Sequence, residues 1–157
     1  LRTTMTQVIQ LLVCLLVLTV AFITLHHPPT TQHLQQTLCI IKPGRSFQHR
    51  ENIQKILENQ DFAILDFLNA NLERNLVEKL YAEHKGKPFY EELVDYMTSG
   101  ASQVLYLQKE NAVEDLRRLM VDIRRVYADD VTRNAIHGSD SVESAMRELA
   151  LFFKRGI

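Results

Sequence analysis

His137 and the side chains around it have the types and spacing that a phosphoryl-transfer site needs. The histidine lies between a predicted edge strand and the predicted start of a helix, where Ser139 and Asp140 supply polar contacts. A neutral imidazole nitrogen is a competent nucleophile toward phosphorus near neutral pH. A carboxylate bound to the other ring nitrogen would fix the tautomer and raise the nucleophilicity, and Glu148 is the candidate for that role. Gly138 would let a ligand approach the backbone closely.

Alternating strands and helices are predicted to position this histidine. The predicted strands cover residues 37–42, 62–68 and 102–108, with a short edge strand at 134–137. The predicted helices cover residues 51–59, 73–84, 89–97 and 111–120, and a last helix follows Asp140, where Asp140-Ser-Val-Glu143 has capping-box spacing. This order predicts an α+β sandwich with helices over a small sheet, and by itself it predicts no function.

An apolar segment precedes the predicted sandwich. Residues 8–25 contain only three polar side chains, and as a helix they would span about 27 Å, close to the hydrocarbon thickness of a bilayer. This favours a single membrane-anchoring helix over two alternatives, a secretory signal and a mitochondrial targeting segment. We therefore divide the chain into a hydrophobic anchor or targeting segment (1–26), a polar linker (27–36) and a folded domain (37–157).

Composition narrows the range of partners. The chain of 157 residues has a formal net charge of −1 at pH 7, which provides no broad basic surface for nucleic acid, so we expect no nucleic-acid partner. Its two cysteines, Cys14 and Cys39, do not make a disulfide framework. Since no Cys/His spacing resembles a zinc site, we expect no metal ligated by protein side chains.

The segment around His137 resembles the signature of nucleoside diphosphate kinases. Residues 134–145, Asn-Ala-Ile-His-Gly-Ser-Asp-Ser-Val-Glu-Ser-Ala, match that signature almost without change. Three further stretches agree and occur in the family's order: residues 37–43, residues 81–90 leading into 93–100, and residues 110–113. The resemblance covers essentially all of residues 37–153.

This resemblance implies a fold, a reaction and a set of roles. The fold would be a ferredoxin-like α+β sandwich, a four-stranded antiparallel sheet covered by helices and here preceded by one apolar helix. The reaction would be ping-pong transfer of the terminal phosphate of ATP or another NTP to an NDP through phosphorylated His137, with Mg²⁺ bound through the nucleotide phosphates. The resemblance implies that Lys42 holds the transferred phosphoryl group, with Tyr81 beside it, and that Arg117 and Arg124 bind the remaining phosphates. Phe89 would stack on the base, and Asn134 would contact the sugar hydroxyl. Ser139 and Glu148 would be hydrogen-bonding partners of His137.

The chain departs from the family pattern between Met120 and Arg124. Relatives have a longer loop here, with a threonine that contacts nucleotide phosphate, whereas only Val121, Asp122 and Ile123 remain in this chain. The shortened nucleotide-binding loop is expected either to withdraw Arg124 from the site or to leave the cleft open. In this respect the chain resembles the divergent branch of the family, whose members do not all retain strong kinase activity.

Two alternative functions follow from these departures. One is a membrane-tethered, weakly active or inactive nucleotide-binding or scaffold relative. The other is transfer of the phosphoryl group from His137 to a protein acceptor. The chain ends soon after the last predicted helix, so an oligomer is compatible with the sequence but a hexamer is not assumed.

Overall fold

The computed structural model divides the chain into two compact units, Leu1–Gln32 and His33–Ile157. The residues that the structure describes are 5, 7–10, 12, 13, 15–17, 19 and 34–153. The described residues of the first unit are helical. Residues 27–33 of the predicted linker lie outside the described residues, whereas its last three residues already belong to a strand.

The predicted membrane anchor has to be corrected. A helix that crosses a bilayer needs about 20 consecutive, predominantly apolar residues. Among the described residues, no helix is long and apolar enough to cross a membrane. The prediction of a membrane-spanning helix over residues 8–25 is therefore wrong, and part of that segment, including residues 20–25, lies outside the described residues.

The second unit contains the predicted alternation of strands and helices. Its strands are β1 (Leu34–Ile41), β2 (Ala63–Asn71), β3 (Ala101–Glu110) and β4 (Ile136–Gly138). Its helices are α1 (Arg45–Gln48), α2 (Arg50–Glu58), α3 (Arg74–Leu80), α4 (Tyr90–Thr98), α5 (Ala112–Tyr127) and α6 (Val142–Phe152), with a 3₁₀ helix at Ala82–His84.

The four strands form one sheet in the order β2-β3-β1-β4, in which all neighbouring strands are antiparallel. Strand β1 is internal and pairs with β3 on one side and β4 on the other, so that Ile40 lies opposite His137. β4 is an edge strand, as predicted. The four-stranded antiparallel sheet covered by helices confirms the ferredoxin-like sandwich expected from the resemblance.

Strands β1 and β3 are buried on both faces of the sheet, and alternate side chains of each strand pack on opposite sides. On one face, Leu38 and Ile40 of β1 pack with side chains of α3, α4 and α6. On the other, Cys39 and Ile41 pack with side chains of α2 and α5. The near-continuous apolar runs of β1 and β3 are therefore those of strands covered on both sides.

Several element boundaries differ from the sequence prediction. β1 begins at Leu34 rather than at residue 37. The last helix takes Ser141, not Asp140, as its N-cap: the Ser141 hydroxyl accepts a hydrogen bond of 3.0 Å from the backbone N–H of Ser144. Helices α2 and α4 lie within one residue of the predicted spans.

The largest difference is in helix α5, which was predicted to end at Met120 and continues to Tyr127. Leu116, Met120 and Ile123 are all buried on its inner side, and their spacing of four and three residues continues one apolar stripe past the predicted end. The residues that remain of the shortened loop are thus part of a helix.

Gly138 has a packing role at the contact between β4 and α5. A Cβ atom at this position would lie 2.7 Å from Sδ of Met120 and 2.8 Å from Cδ2 of Leu116. Both distances are far shorter than ordinary van der Waals contact. The close approach of helix α5 to the strand that carries His137 therefore depends on the absence of a side chain at residue 138.

We expect Gly138→Ala to lower the free energy of unfolding by about 1–3 kcal/mol, because overpacking a filled core forces neighbouring side chains to shift. Urea unfolding followed by circular dichroism would measure the change. Gly100→Ala is the matched control, since its Cβ would meet only Pro43 Cβ at 3.6 Å. Equal stability of the two variants would contradict the packing role.

Candidate active site

A cavity of about 420 Å³ opens beside β4 and helix α5. It collects most of the residues that the sequence analysis selected from distant parts of the chain. Eight of the nine predicted site residues line it: Lys42, Tyr81, Phe89, Arg117, Arg124, Asn134, His137 and Glu148. The ninth, Ser139, is fully buried behind Glu148.

The imidazole of His137 is held by a buried carboxylate. Its Nε2 lies 3.0 Å from Oε2 of Glu148, and the Ser139 hydroxyl donates to the same oxygen at 2.8 Å. The backbone N–H of Leu38 in turn donates to Ser139 Oγ at 3.3 Å. The side chain of His137 is 16% exposed and that of Glu148 only 6%, so the carboxylate is shielded while the imidazole reaches the cavity.

This arrangement determines which ring nitrogen is free. An ionised carboxylate can only accept hydrogen bonds, so Nε2 of His137 carries the proton. The other nitrogen, Nδ1, then bears the lone pair that a nucleophile requires. The local sequence explains the geometry: β4 presents residue 137, a turn of three residues follows, and the capped start of α6 brings Glu148 back over the ring.

Tyr81, at the C-terminal end of helix α3, packs against the imidazole ring of His137. Its ring meets that of His137 edge-on, with centroids 5.4 Å apart and planes at 84°. Its hydroxyl is buried without a hydrogen-bond partner in the described part of the chain. Burial, and then the charge of Glu148, raise the pKa of this phenol, so the hydroxyl is a neutral donor with nothing yet to bind.

Lys42 is a buried cation at the end of β1. Its Nζ donates to Oδ1 of Asn134 at 2.7 Å and lies about 6 Å from the ring centroids of Tyr81 and Tyr96. Burial, and then the nearby charge of Arg124, lower the pKa of Lys42 to about 7. The charged form of a buried lysine is stabilised strongly when an anion binds beside it and compensates the charge.

Arg117 and Arg124 lie seven residues apart on helix α5, which is about two turns, and both line the cavity. Nη2 of Arg124 donates to the backbone carbonyl of Ile136 at 2.9 Å, while its Nε is buried and has no partner among the described residues. Burial and the neighbouring Arg117 lower the pKa of Arg124. The shortened connection has therefore not withdrawn Arg124 from the cavity.

Phe89 and Val131 are exposed apolar side chains in the lining of the cavity, with exposures of 44% and 91%. Asn134 supports the loop that carries Val131 through a 3.1 Å hydrogen bond from its Nδ2 to the Val131 carbonyl. Sequence reasoning selected Phe89 but missed Val131. The one available signal was an apolar residue in an otherwise polar loop, which has no periodic pattern to distinguish it.

Other polar residues of the lining were also not assigned to the site, among them His84, Glu83 and Arg147. The ring of His84 packs against Tyr81 and Phe89 with centroid distances of 5.9 and 5.6 Å. Glu83 and Arg147 face each other across the cavity wall, with Arg147 Nη2 3.2 Å from Glu83 Oε1. Their pairing is invisible in the sequence because 64 residues separate them.

The comparisons with known proteins agree with this geometry. Residues 35–156 match the family model described as "Nucleoside diphosphate kinase". A curated nucleoside diphosphate kinase of Histophilus somni (strain 2336) is 44% identical over 131 residues, which cover 76% of this chain and 93% of that protein.

The chain belongs to the nucleoside diphosphate kinase family.

Solved structures show the same relationship. A halophilic nucleoside diphosphate kinase from Halobacterium salinarum, solved in complex with CDP, is 31% identical and superposes with a TM-score of 0.73 over 78% of this chain and 90% of that one. The Aquifex aeolicus nucleoside diphosphate kinase is 27% identical with a TM-score of 0.71, over 77% and 96% of the two chains.

Membership of the nucleoside diphosphate kinase family makes this chain a phosphotransferase that moves the terminal phosphate of a nucleoside triphosphate to a nucleoside diphosphate. The cavity has the features this reaction requires. It contains four cationic side chains (Lys42, Arg117, Arg124 and Arg147), an imidazole with one free nitrogen and an exposed aromatic ring.

The hydrogen bonds of Glu148 predict the tautomer of His137. We expect ¹⁵N chemical shifts of the neutral imidazole to show a protonated Nε2 and a bare Nδ1, because the carboxylate accepts only from Nε2. In Glu148→Leu, which has no acceptor, the two tautomers should both be populated. A wild-type ring with its proton on Nδ1 would contradict the arrangement.

Proposed function

We propose that the transferred phosphoryl group is carried on Nδ1 of His137. The observation that supports this is the bond of Nε2 to the buried Glu148, which leaves Nδ1 as the nitrogen with a lone pair. The free nitrogen belongs to a ring that lines the same cavity as Lys42, Arg117 and Arg124. A nucleophile beside three cations matches the needs of an attack on a polyphosphate.

The reaction then consists of two displacements at phosphorus. In the first, the Nδ1 lone pair forms a bond to the terminal phosphorus of the triphosphate, the bond to the bridging oxygen breaks, and the diphosphate leaves. In the second, a terminal oxygen of another diphosphate attacks the same phosphorus and the P–N bond breaks. Throughout, the Nε2 proton remains hydrogen-bonded to Glu148, whose negative charge offsets the positive charge on the phosphorylated ring.

Lys42, Arg117, Arg124 and Tyr81 are proposed to hold the phosphates. Unpartnered donors support this: Nε of Arg124 and the hydroxyl of Tyr81 are both buried and unsatisfied among the described residues. Such groups cost free energy unless a ligand accepts their hydrogen bonds. Phosphate oxygens are acceptors that satisfy all four side chains at once.

The nucleoside is proposed to lie at the exposed end of the cavity. The base would stack on Phe89, with the apolar side chain of Val131 also exposed at the cavity. Oδ1 of Asn134 accepts from Lys42 and keeps a second lone pair for a sugar hydroxyl. Because the similar halophilic enzyme was solved with CDP, we include a pyrimidine diphosphate among the proposed acceptors.

Magnesium fits this site as a companion of the nucleotide. The described residues contain no group of three or more His, Cys, Asp or Glu side chains able to hold a metal ion, so the phosphates would supply most of the ligands. Bound in this way, the ion would neutralise phosphate charge.

We expect the full-length protein, mixed with Mg²⁺ and ATP labelled at the γ-phosphate, to become labelled on His137. The acid-labile label should move to a new triphosphate when GDP or CDP is added. His137→Gln should remove labelling by at least about 1,000-fold, because no other nucleophile occupies the position. Acid-quenched filter binding and chromatography of the products would measure both steps.

The matched control is His49→Gln. His49 packs against Tyr127 and does not line the cavity, so this variant should be labelled at the wild-type rate. ADP binding by folded wild-type protein without any label would favour a nucleotide-binding relative with no turnover. A label that moves to a protein and not to a diphosphate would favour protein phosphotransfer.

The position of Lys42 predicts a pH dependence of nucleotide binding. With a pKa of about 7, this side chain is about half protonated at pH 7 in the free protein, and bound phosphates favour its charged form. ADP binding should therefore take up about half a proton at pH 7, and the affinity should fall as the pH rises above 7. The affinity for ADP can fall by at most about tenfold for each pH unit, because at most one proton is taken up by Lys42 on binding.

Titration calorimetry at pH 7 in buffers of different ionisation enthalpy would measure this uptake. Lys42→Arg is the comparison, because an arginine is charged before and after binding. ADP binding to this variant should therefore lack the proton uptake that comes from residue 42. The ionisation of ADP itself is common to both proteins and cancels in the difference. Equal uptake in the two proteins would rule out the role of Lys42.

A further inference from the structure

We propose that Arg147 is a positioning residue that acts on His137 through Glu148. It places a positive charge at the second oxygen of the carboxylate and thereby limits how strongly that carboxylate holds a proton on the imidazole. The inference rests on the proposed function of His137 and adds a residue that neither the sequence motif nor that proposal assigns.

The two oxygens of Glu148 have different surroundings. Oε2 accepts from His137 and from Ser139. Oε1 lies 3.8 Å from Nη2 of Arg147, a distance of an ion pair rather than of a hydrogen bond. Within residues 34–153, Arg147 and His137 are the only basic side chains within 4 Å of this buried carboxylate.

Arg147 is shared between two carboxylates. The same Nη2 atom lies 3.2 Å from Oε1 of Glu83 on the 3₁₀ helix at Ala82–His84. Glu83 is mostly exposed, whereas Glu148 is buried. Solvent weakens the first interaction, and burial strengthens the second despite its greater length. The influence of Arg147 on the site is therefore exerted mainly through Glu148.

The consequence for catalysis follows from the charges. The nucleophile must be a neutral imidazole, and an unopposed carboxylate would stabilise the protonated, non-nucleophilic form. A guanidinium beside Oε1 opposes that effect while leaving Oε2 in place to hold Nε2. Arg147 thus keeps His137 neutral and correctly oriented at the same time.

Other charged groups surround the ring and must be considered together with this pair. Lys42 at the end of β1 and Arg117 and Arg124 on α5 carry positive charge in the same cavity, and Asp140 ahead of α6 carries negative charge. Tyr81 contributes an edge-on contact and a neutral hydroxyl. None of these is altered by substitution of Arg147, which is 42% exposed and can be changed with little effect on the core.

The test measures the titration midpoint of His137 by NMR in the full-length protein, with the resonance assigned by its loss in His137→Gln. In Arg147→Gln we expect the midpoint to rise by about half a pH unit or more, since a charge close to the carboxylate is lost. Arg147→Lys keeps the positive charge, so its midpoint should lie within about 0.2 pH unit of the wild-type value. Arg118 is an exposed arginine on a different helix, α5, and Arg118→Gln should leave the midpoint of His137 unchanged.

Two further variants separate the route through Glu148 from a general field effect. In a Glu148→Gln background, Arg147→Gln should shift the midpoint by less than half as much as it does in the wild type. Glu83→Gln should lower the midpoint or leave it unchanged, because Arg147 loses its competing partner. A rise in Glu83→Gln, or an equal shift of Arg147→Gln in both backgrounds, would overturn the proposal.

Kinetics provide a second readout. Labelling of Arg147→Gln by ATP should be about threefold slower at pH 6 and equal to wild type at pH 8.5, with an unchanged KM for ATP. A raised KM at every pH with a wild-type midpoint would instead make Arg147 a nucleotide-binding residue and overturn the inference. If ATP labels no variant, the proposed function fails, and the NMR midpoints still decide the role of Arg147.

Discussion

The hydrogen bonds accepted by the buried Glu148 carboxylate connect helix α6 and strands β4 and β1 around His137. A buried charge is tolerated only where it is paired and hydrogen-bonded, and here His137 and Ser139 both satisfy it. Ser139 is itself bonded to the backbone of Leu38. The carboxylate therefore fixes helix α6 against β4 and β4 against β1, and the free nitrogen of the ring is a result of the same contacts.

The central strand β1 gives the site its second fixed point. Its pairing with β4 places Ile41 opposite Ile136, and the backbone N–H of Lys42 continues the ladder to the carbonyl of Ala135 at 2.9 Å. The C-terminal end of β1 therefore brings Lys42 beside Asn134, which lies just before the strand that carries His137. The antiparallel register, and not the separation in sequence, sets the distance between ammonium and imidazole.

Helix α5 accounts for the departure from the family pattern. The apolar stripe that includes Ile123 continues the helix through Val121, Asp122 and Ile123, where the sequence analysis expected a shortened loop. Two turns of a rigid helix then separate Arg117 from Arg124, and the bond of Arg124 to the Ile136 carbonyl ties the second arginine to β4. A regular element has taken over the positioning of both cations.

The sequence by itself determined the order of elements and the buried, apolar character of β1, and it predicted His137 as the nucleophile, because apolar periodicity and a compact motif are local signals. It misplaced the end of helix α5, since only the neighbouring sheet shows that Ile123 is buried. It also could not show that Arg147 faces Glu83 or that Val131 lies in the cavity lining. Such contacts join residues far apart in the chain, so the packing of elements against the sheet decides them, and no local pattern records that packing.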